Sequence, residues 1–379
     1  MMKPLIVGVD IRDLRIAKTG TGTYLKELCI EFKKLEGSKI KFHFFDTEIG
    51  VYTGENKVLK ILEHLRFQVW KQLQLPLKAW ISRCDVLFCT DNIVPFIQVG
   101  YKTIPVIHDA FFFENPDHYN RIWLWFYKNL AIPAARKSEF VITPTNYASE
   151  RIHYFTGISK KKLITVCEGP KSFTFPEPLS QTESKVLNEF DFERGGYILH
   201  VGIMDKRKNI PALIYAFKKL KDHGYPGKLV LVGKADSVKL NSDSRGIAQA
   251  ISETKLENEI VKTGYLSDND LAKVYEGASL YVFPSTNEGF GIPILEAFNH
   301  QLPVLVADNT CLPEVGGDAV VTFNPFNTDD IFEKMKLVLE NKELQEEMIE
   351  KGSIRLREFS WEKAAKQLLK IFEKAHNLN

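Results

Sequence analysis

The sequence predicts an α/β protein built from two doubly wound parallel-sheet domains. Three observations predict it. Short β-rich apolar runs alternate with longer helical patterns, as in parallel sheets covered by helices. The chain has 379 residues, which suits two domains of about 150 residues or somewhat more. A Pro- and Ser-rich stretch, FTFPEPLSQTES at 173–184, divides two such series and has the composition of a linker.

In the first series, strands are expected at 5–11, 40–45, 86–89, 103–109, 140–145 and 163–167, with helices over 22–36, 57–82, 118–137 and 146–156. In the second, strands are expected at 197–202, 228–233, 260–265, 280–285, 303–308 and 319–323, each followed by a helical pattern. The domains are therefore drawn at 1–175 and 176–360. The last run, 361–379, follows a candidate N-cap at Ser360 and carries Glu362 in its first turn. Its Ala364, Ala365, Leu368, Leu369 and Phe372 recur at helical spacing, so this helix must bury one face. Ligands of such sheets bind at the carboxyl ends of the strands.

Apolar residues make up 44% and charged residues 26%, which excludes a disordered chain. The net charge of +2 hides an uneven distribution: residues 1–175 hold 25 Lys/Arg against 17 Asp/Glu, and 176–379 hold 25 against 31. The five cysteines, Cys29, Cys84, Cys89, Cys167 and Cys311, form no CxxC pair and read as buried thiols of a reducing, cytoplasmic compartment. The start, MMKPLIVGVDI, lacks the layout of a signal peptide. No apolar run approaches the roughly 18 residues that span a bilayer; IWLWFYKNLAI at 122–132 is short and interrupted by Lys128. A soluble or peripheral protein is expected.

Four clusters carry candidate chemistry. In STNEGFGIPILEAF (285–298), Glu288 precedes Gly289, Phe290 and Gly291, which open a turn into a helix holding Glu296. Glycines let a backbone approach a ligand closely, and the free N–H groups of a helix start suit a phosphate or diphosphate. The two carboxylates could accept hydroxyl hydrogen bonds; they could equally be a capping acid and a helix acid on a solvated face. In HVGIMDKRKN (200–209), Lys206, Arg207 and Lys208 gather before a helix, where they could neutralise a diphosphate or form an ordinary basic turn. Gly20, Thr21 and Gly22 lead into a helix expected to start at Thr23 or Tyr24. Leu25 stands where a dinucleotide fingerprint needs a third Gly, so that fingerprint fails. His108 and Asp109 end an apolar strand, where the His could touch a substrate hydroxyl or simply bond backbone. Asp268-Asn269-Asp270 has the DxD spacing of a metal site, yet Ser267 before it makes a capping box the better reading. His200 is expected to be a satisfied core histidine.

Taken together, HVGIMDKRKN, KTGYLSDNDLAKVYEGASLYVFPSTNEGFGIPILEAF and LPVLVADNTCLPEVGGDAVVTFNP resemble the retaining, nucleotide-sugar-dependent glycosyltransferases of family 4. The likeness covers nearly all of 196–375 and, more loosely, 5–30 and 103–170. It implies the GT-B fold, two facing Rossmann-like domains with an interdomain cleft, 1–175 for the acceptor and 176–360 for the donor, with 361–379 crossing back to the first. It implies that Arg207 and Lys208 hold the donor diphosphate, that Glu296 binds ribose hydroxyls, and that Glu288 with the backbone of Gly289, Phe290, Gly291 and Ile292 contacts the transferred sugar. Gly20, Thr21 and Gly22 would approach the phosphate, His108 the sugar near the reacting carbon, and the backbone at Tyr265 and Leu266 the base. One departure is Ile203, where many members carry Arg; Arg207 would supply that charge. The subgroup with the KRKN and NPDHY-like segments points to a GDP-mannose-type donor and to polysaccharide or O-antigen assembly. The implied chemistry uses no metal, cofactor or enzymic nucleophile. An epimerase or phosphorylase on the same fold, or a non-catalytic sugar-nucleotide binder, is the competing reading.

Residues 57–83 carry Lys57, Lys60, Arg66, Lys71, Lys78 and Arg83 against Glu63, with Trp70 and Trp80. Such a stretch can lie on an anionic membrane surface or pack on the sheet with a solvated basic face. A nucleic-acid partner is not expected, since no binding motif surrounds these charges.

Overall fold

The computed structural model describes residues 3–16, 20–47, 50–52, 54, 56–172, 195–234 and 242–378, with the backbone alone at Lys57. The expected linker at 173–184 and the boundary at 175/176 lie outside the described residues. The chain forms two compact units, one of 1–169 with 360–379 and one of 170–359.

In the first unit, β1 (Leu5–Asp10), β2 (Ile40–Phe45), β3 (Val86–Cys89) and β4 (Lys102–Pro105) form a parallel sheet in the order β2-β1-β3-β4. β5 (Val141–Thr143) and β6 (Leu163–Thr165) pair beside it, joined to the segment after β4 by a parallel bridge between Val106 and Ile142. The helix Trp361–Asn377 belongs to this unit. Ser360 Oγ accepts from Lys363 N–H, and Ala364, Ala365, Leu368 and Phe372 are buried, as their spacing requires. Phe372 packs on Phe32 and Phe88 in a core lined by β1 and β3.

Two helices of this unit differ from the expected continuous runs. The first, Lys57–Val69 and Leu75–Ile81, contains a π-helical turn at Trp70–Gln74; the second, Arg121–Phe126 and Ile132–Lys137, contains one at Tyr127–Ala131. Each π turn ends two residues before a proline, Pro76 or Pro133. A helical proline donates no hydrogen bond and crowds the preceding turn, and a widened turn relieves both. Cys167 is exposed, contrary to the expectation of five buried thiols, because it lies beyond the end of β6; the other four are buried.

In the second unit, β7 (Tyr197–Val201), β8 (Lys228–Val232), β9 (Ile260–Gly264), β10 (Leu280–Phe283), β11 (Val304–Ala307) and β12 (Val320–Phe323) form one parallel sheet in the order β12-β11-β10-β7-β8-β9. Its four inner strands, β7, β8, β10 and β11, are almost wholly buried, as a sheet covered on both faces demands. The order is that of a doubly wound dinucleotide-type fold, and it reverses between β7 and β10. The loops leaving the carboxyl ends of those two neighbours frame the crevice where such sheets bind ligands.

Candidate active site

The reversal point is where the basic loop and the glutamate loop meet. After β7 the chain makes a short turn, Lys206–Lys208, and Asn209 adopts a left-handed φ of 55° before the helix Ile210–Asp222 begins. After β10, Ser285, Thr286, Asn287 and Glu288 lead to Gly291, whose φ of 110° starts the helix Ile292–Asn299. A Cβ at Gly291 would also stand 3.1 Å from Leu312 and 3.2 Å from Ile294, so glycine is required twice over. Backbone stitches the loops together: the Arg207 carbonyl accepts from Thr286 N–H at 2.7 Å, with the Ser285 hydroxyl at 3.0 Å.

Side chains complete the junction. Lys208 Nζ lies 2.5 Å from Glu288 Oε1 and Arg207 Nη1 lies 2.7 Å from Glu288 Oε2. Ser285 Oγ donates to Glu288 Oε1 at 2.7 Å, and Arg207 also donates to Asp205 and to the Asn287 carbonyl. The Lys208 ammonium sits 4.6 Å from the centroid of the Phe283 ring. Burial works to raise the Glu288 carboxyl, but Arg207 and Lys208 outweigh it and hold it at about 2. Burial pulls Lys208 below its ordinary value despite Glu288. The loop thus carries its cations pre-oriented and partly desolvated, where an anion's charge is felt strongly. Cys311 supports it from below, its thiol donating to the carbonyls of Glu288 and Phe290.

Glu296 is buried in the same helix but serves a different group: Tyr275 donates to its Oε2 at 2.8 Å, and burial raises its pKa. The two expected glutamates therefore do not share partners. Tyr265 is 65% exposed after β9, and Leu266 is buried. The capping reading of 267–270 holds: Ser267 Oγ accepts from Asp270 N–H, while Asp268 pairs with Lys171 at 2.6 Å. His200 meets its expectation by half. Its Nδ1–H donates to the Val282 carbonyl, but its buried Nε2 has no hydrogen-bond partner among the described residues. Burial lowers its pKa to about 4.

In the first unit, the helix Gly20–Leu35 starts at Gly20, not at Thr23 or Tyr24, so the Gly20-Thr21-Gly22 run is the helix's first turn and not a loop. Tyr24 on the next turn packs edge-on against His108 with ring centroids 5.0 Å apart, which brings these two sequence clusters together. His108 and Asp109 do not end a strand as expected, since β4 stops at Pro105 and both lie in the segment beyond it. His108 is buried there, with Nε2 3.0 Å from the Thr90 carbonyl and Nδ1 3.5 Å from the Glu168 carboxylate. Burial opposes the charged imidazolium, but Glu168, Asp109 and the Thr90 carbonyl prevail and raise its pKa. Glu168, Tyr275 and Ser285 are contacts that sequence reasoning missed. For Glu168 a signal existed, an acid just beyond a strand end; for the other two nothing in the local pattern pointed to the pairing. Among the described residues one group has the spacing of a metal site, Asp10, Cys89 and Asp91. Lys71 Nζ already bonds both carboxylates there, at 2.6 and 2.7 Å.

Residues 185–355, the greater part of the second unit, match the family model of glycosyl transferases group 1. The chain is 26% identical over 275 residues to the O-antigen chain mannosyltransferase B of Escherichia coli, covering 72% of this chain and 70% of the relative. It is 27% identical over 278 residues to the serotype-specific mannosyltransferase WbdA of Escherichia coli, where it spans 72% of its own length but about a third (33%) of the relative. Among solved structures, the sucrose-phosphate synthase of Thermosynechococcus elongatus aligns over 98% of both chains with a TM-score of 0.75 at 15% identity. That likeness shows the fold: α/β, with two Rossmann-like parallel-sheet units of the GT-B type. With the matched family domain and these relatives, the comparisons support a glycosyltransferase.

Proposed function

We propose that the protein is a retaining, metal-independent hexosyltransferase of family 4 that moves mannose from GDP-mannose to a glycan or lipid-linked acceptor in polysaccharide or O-antigen assembly. The observation that carries this is the convergence of Arg207 and Lys208 on Glu288 at the strand-order reversal, within the segment matching glycosyl transferases group 1. The mannosyl and O-antigen parts rest on the names of the relatives. A cytoplasmic site of action fits four buried cysteines that remain thiols.

In this reading the bond between sugar C1 and the diphosphate oxygen breaks while C1 bonds the acceptor oxygen on the same face. The acceptor's proton passes to the departing phosphate. Arg207 and Lys208 neutralise the charge that develops on that phosphate, which is where fixed cations accelerate a reaction most. Glu288 and the backbone from Gly289 through Phe290 and Gly291 to Ile292 orient the sugar, Glu296 takes the ribose hydroxyls, and the backbone at Tyr265 and Leu266 the base. Gly20, Thr21 and Gly22 are read as phosphate contacts, and His108, held by Glu168, as a contact of the sugar. No cofactor takes part.

The test is product analysis. With GDP-mannose, a mannose-terminated acceptor and a chelator, proton NMR should show an α-linked product from the α-configured donor. A β-linked product, or activity only after a divalent metal is restored, overturns the mechanism. Net epimerisation of the donor, or visible absorbance from a pyridoxal group, would instead identify one of the competing enzyme classes.

A further inference from the structure

No helix among the described residues is long and apolar enough to cross a membrane, yet the first unit exposes large apolar side chains along one helix. Leu62, Leu65, Val69, Leu73, Leu77 and Trp80 are each between 45% and 63% exposed. Their spacing of three or four residues keeps them on one side, and the π turn at Trp70–Gln74 sustains that alignment past Pro76. The same turn carries Trp70 and Lys71 inward. Trp70 Nε1 donates to Asp10 and Lys71 is fully buried between Asp10 and Asp91, so neither belongs to the outer face that the sequence assigned them to.

The face continues across the neighbouring segments. The loop at 96–100 lies against this helix, since Phe96 N–H donates to Gln72 and Gly100 sits beside Trp80. It also reaches the helix Ile132–Lys137, because Gln98 donates to the Ala134 carbonyl. Ile97 and Val99 on that loop are exposed, as are Ile122 and Trp125 on the helix Arg121–Phe126. Phe67 and Phe126 pack on one shared cluster beneath these elements. Contiguous apolar exposure on this scale marks an interaction site.

Charge identifies the partner. Residues 56–83 and 121–137 contain ten Lys/Arg and a single acid, Glu63. That acid is turned to Arg12 and Arg66, at 2.5 and 2.9 Å. Exposed Lys60, Arg83, Arg121 and Lys128 therefore accompany the apolar side chains without acidic neighbours on these segments. A second copy of the same face would bring like charges together, whereas an anionic bilayer supplies both a hydrocarbon boundary for the leucines and tryptophans and negative headgroups for the cations. We infer that this face docks the protein on an anionic lipid surface, lying in the interface without spanning it. The inference stands independently of the transferase reading.

The experiment is co-sedimentation of the full chain with vesicles of phosphatidylglycerol and phosphatidylethanolamine, and with vesicles of phosphatidylcholine alone. Binding to the anionic vesicles should exceed binding to the neutral ones at least tenfold, weaken with added salt, and fall at least tenfold in the Leu73→Glu/Leu77→Glu variant. Trp fluorescence of the unmodified chain should be quenched by brominated anionic lipid, a readout that needs no variant. Absence of sedimentation and quenching, equal partitioning to both vesicle types, or a dimer in light scattering that the double substitution dissolves, would each overturn it.

Discussion

At Glu288, two cations and a serine converge on one buried carboxylate. Removing one partner of such a pair leaves the others uncompensated, typically at a cost of about 3–5 kcal/mol. Glu288→Gln should therefore destabilise the chain by about 3 kcal/mol in urea unfolding and lower turnover more than tenfold. Lys208→Ala should lower turnover as much. The pH dependence follows with a definite sign. Glu288 is held near 2, so its stabilisation is complete above the unfolded carboxyl value and is lost as pH falls from about 4.5 toward 2. His200, held at about 4 by burial, takes up its proton more readily when unfolded. Its contribution is lost earlier, as pH falls from about 6.5 toward 4, and the loss reaches about 2 kcal/mol by about pH 5. His200→Gln should flatten the stability profile in that upper window, seen as a smaller difference between urea midpoints at pH 7 and pH 5. An unchanged profile would assign the acid sensitivity to other groups.

At the scale of elements, the two π turns explain features that periodicity could not reach. The sequence pattern for 57–82 is a plain amphipathic helix, and read as one it places Lys71 and Trp70 on the basic outer face. The wider turn before Pro76 instead buries the lysine against Asp10 and Asp91. Burial pulls against its charge, but the two aspartates raise its pKa well above the ordinary value; Asp91, despite Lys71, is itself pushed up by burial to about 7. Lys71→Ala would strand two carboxylates and should cost about 3–5 kcal/mol, measured by urea unfolding followed through the first unit's tryptophans. The strands, by contrast, were legible to within two residues, except β4, which was expected over 103–109 and ends at Pro105. Buried parallel strands are short apolar runs between glycine- and polar-rich loops, and β3, for example, spans the expected 86–89. The start of the helix Gly20–Leu35 was misread because glycines suggest a loop, whereas here they form a first helical turn. The basic and glutamate loops were legible for a different reason: each lies directly after a strand that the alternation identifies. That Arg207 and Lys208 grip Glu288 was not legible, since 80 residues separate Lys208 from its partner and only the order of strands brings them side by side.

For the whole molecule, the charge division between the two parts of the sequence gains a structural counterpart. In the basic first unit, the cations of 56–83 and 121–137 accompany an exposed apolar face. In the acidic second unit, the cations that matter are gathered in one loop, where Glu288 orients them. We propose that this loop junction receives a nucleoside diphosphate sugar. This is tested most directly by calorimetric titration of the unmodified chain and of Lys208→Ala with GDP-mannose and with UDP-hexoses in the presence of a chelator. Saturable binding of at least one donor, GDP-mannose foremost, is expected, weakened at least tenfold by Lys208→Ala while the fold, followed by circular dichroism, is kept. Failure of every donor to bind, or binding that the folded Lys208→Ala variant retains in full, would contradict it.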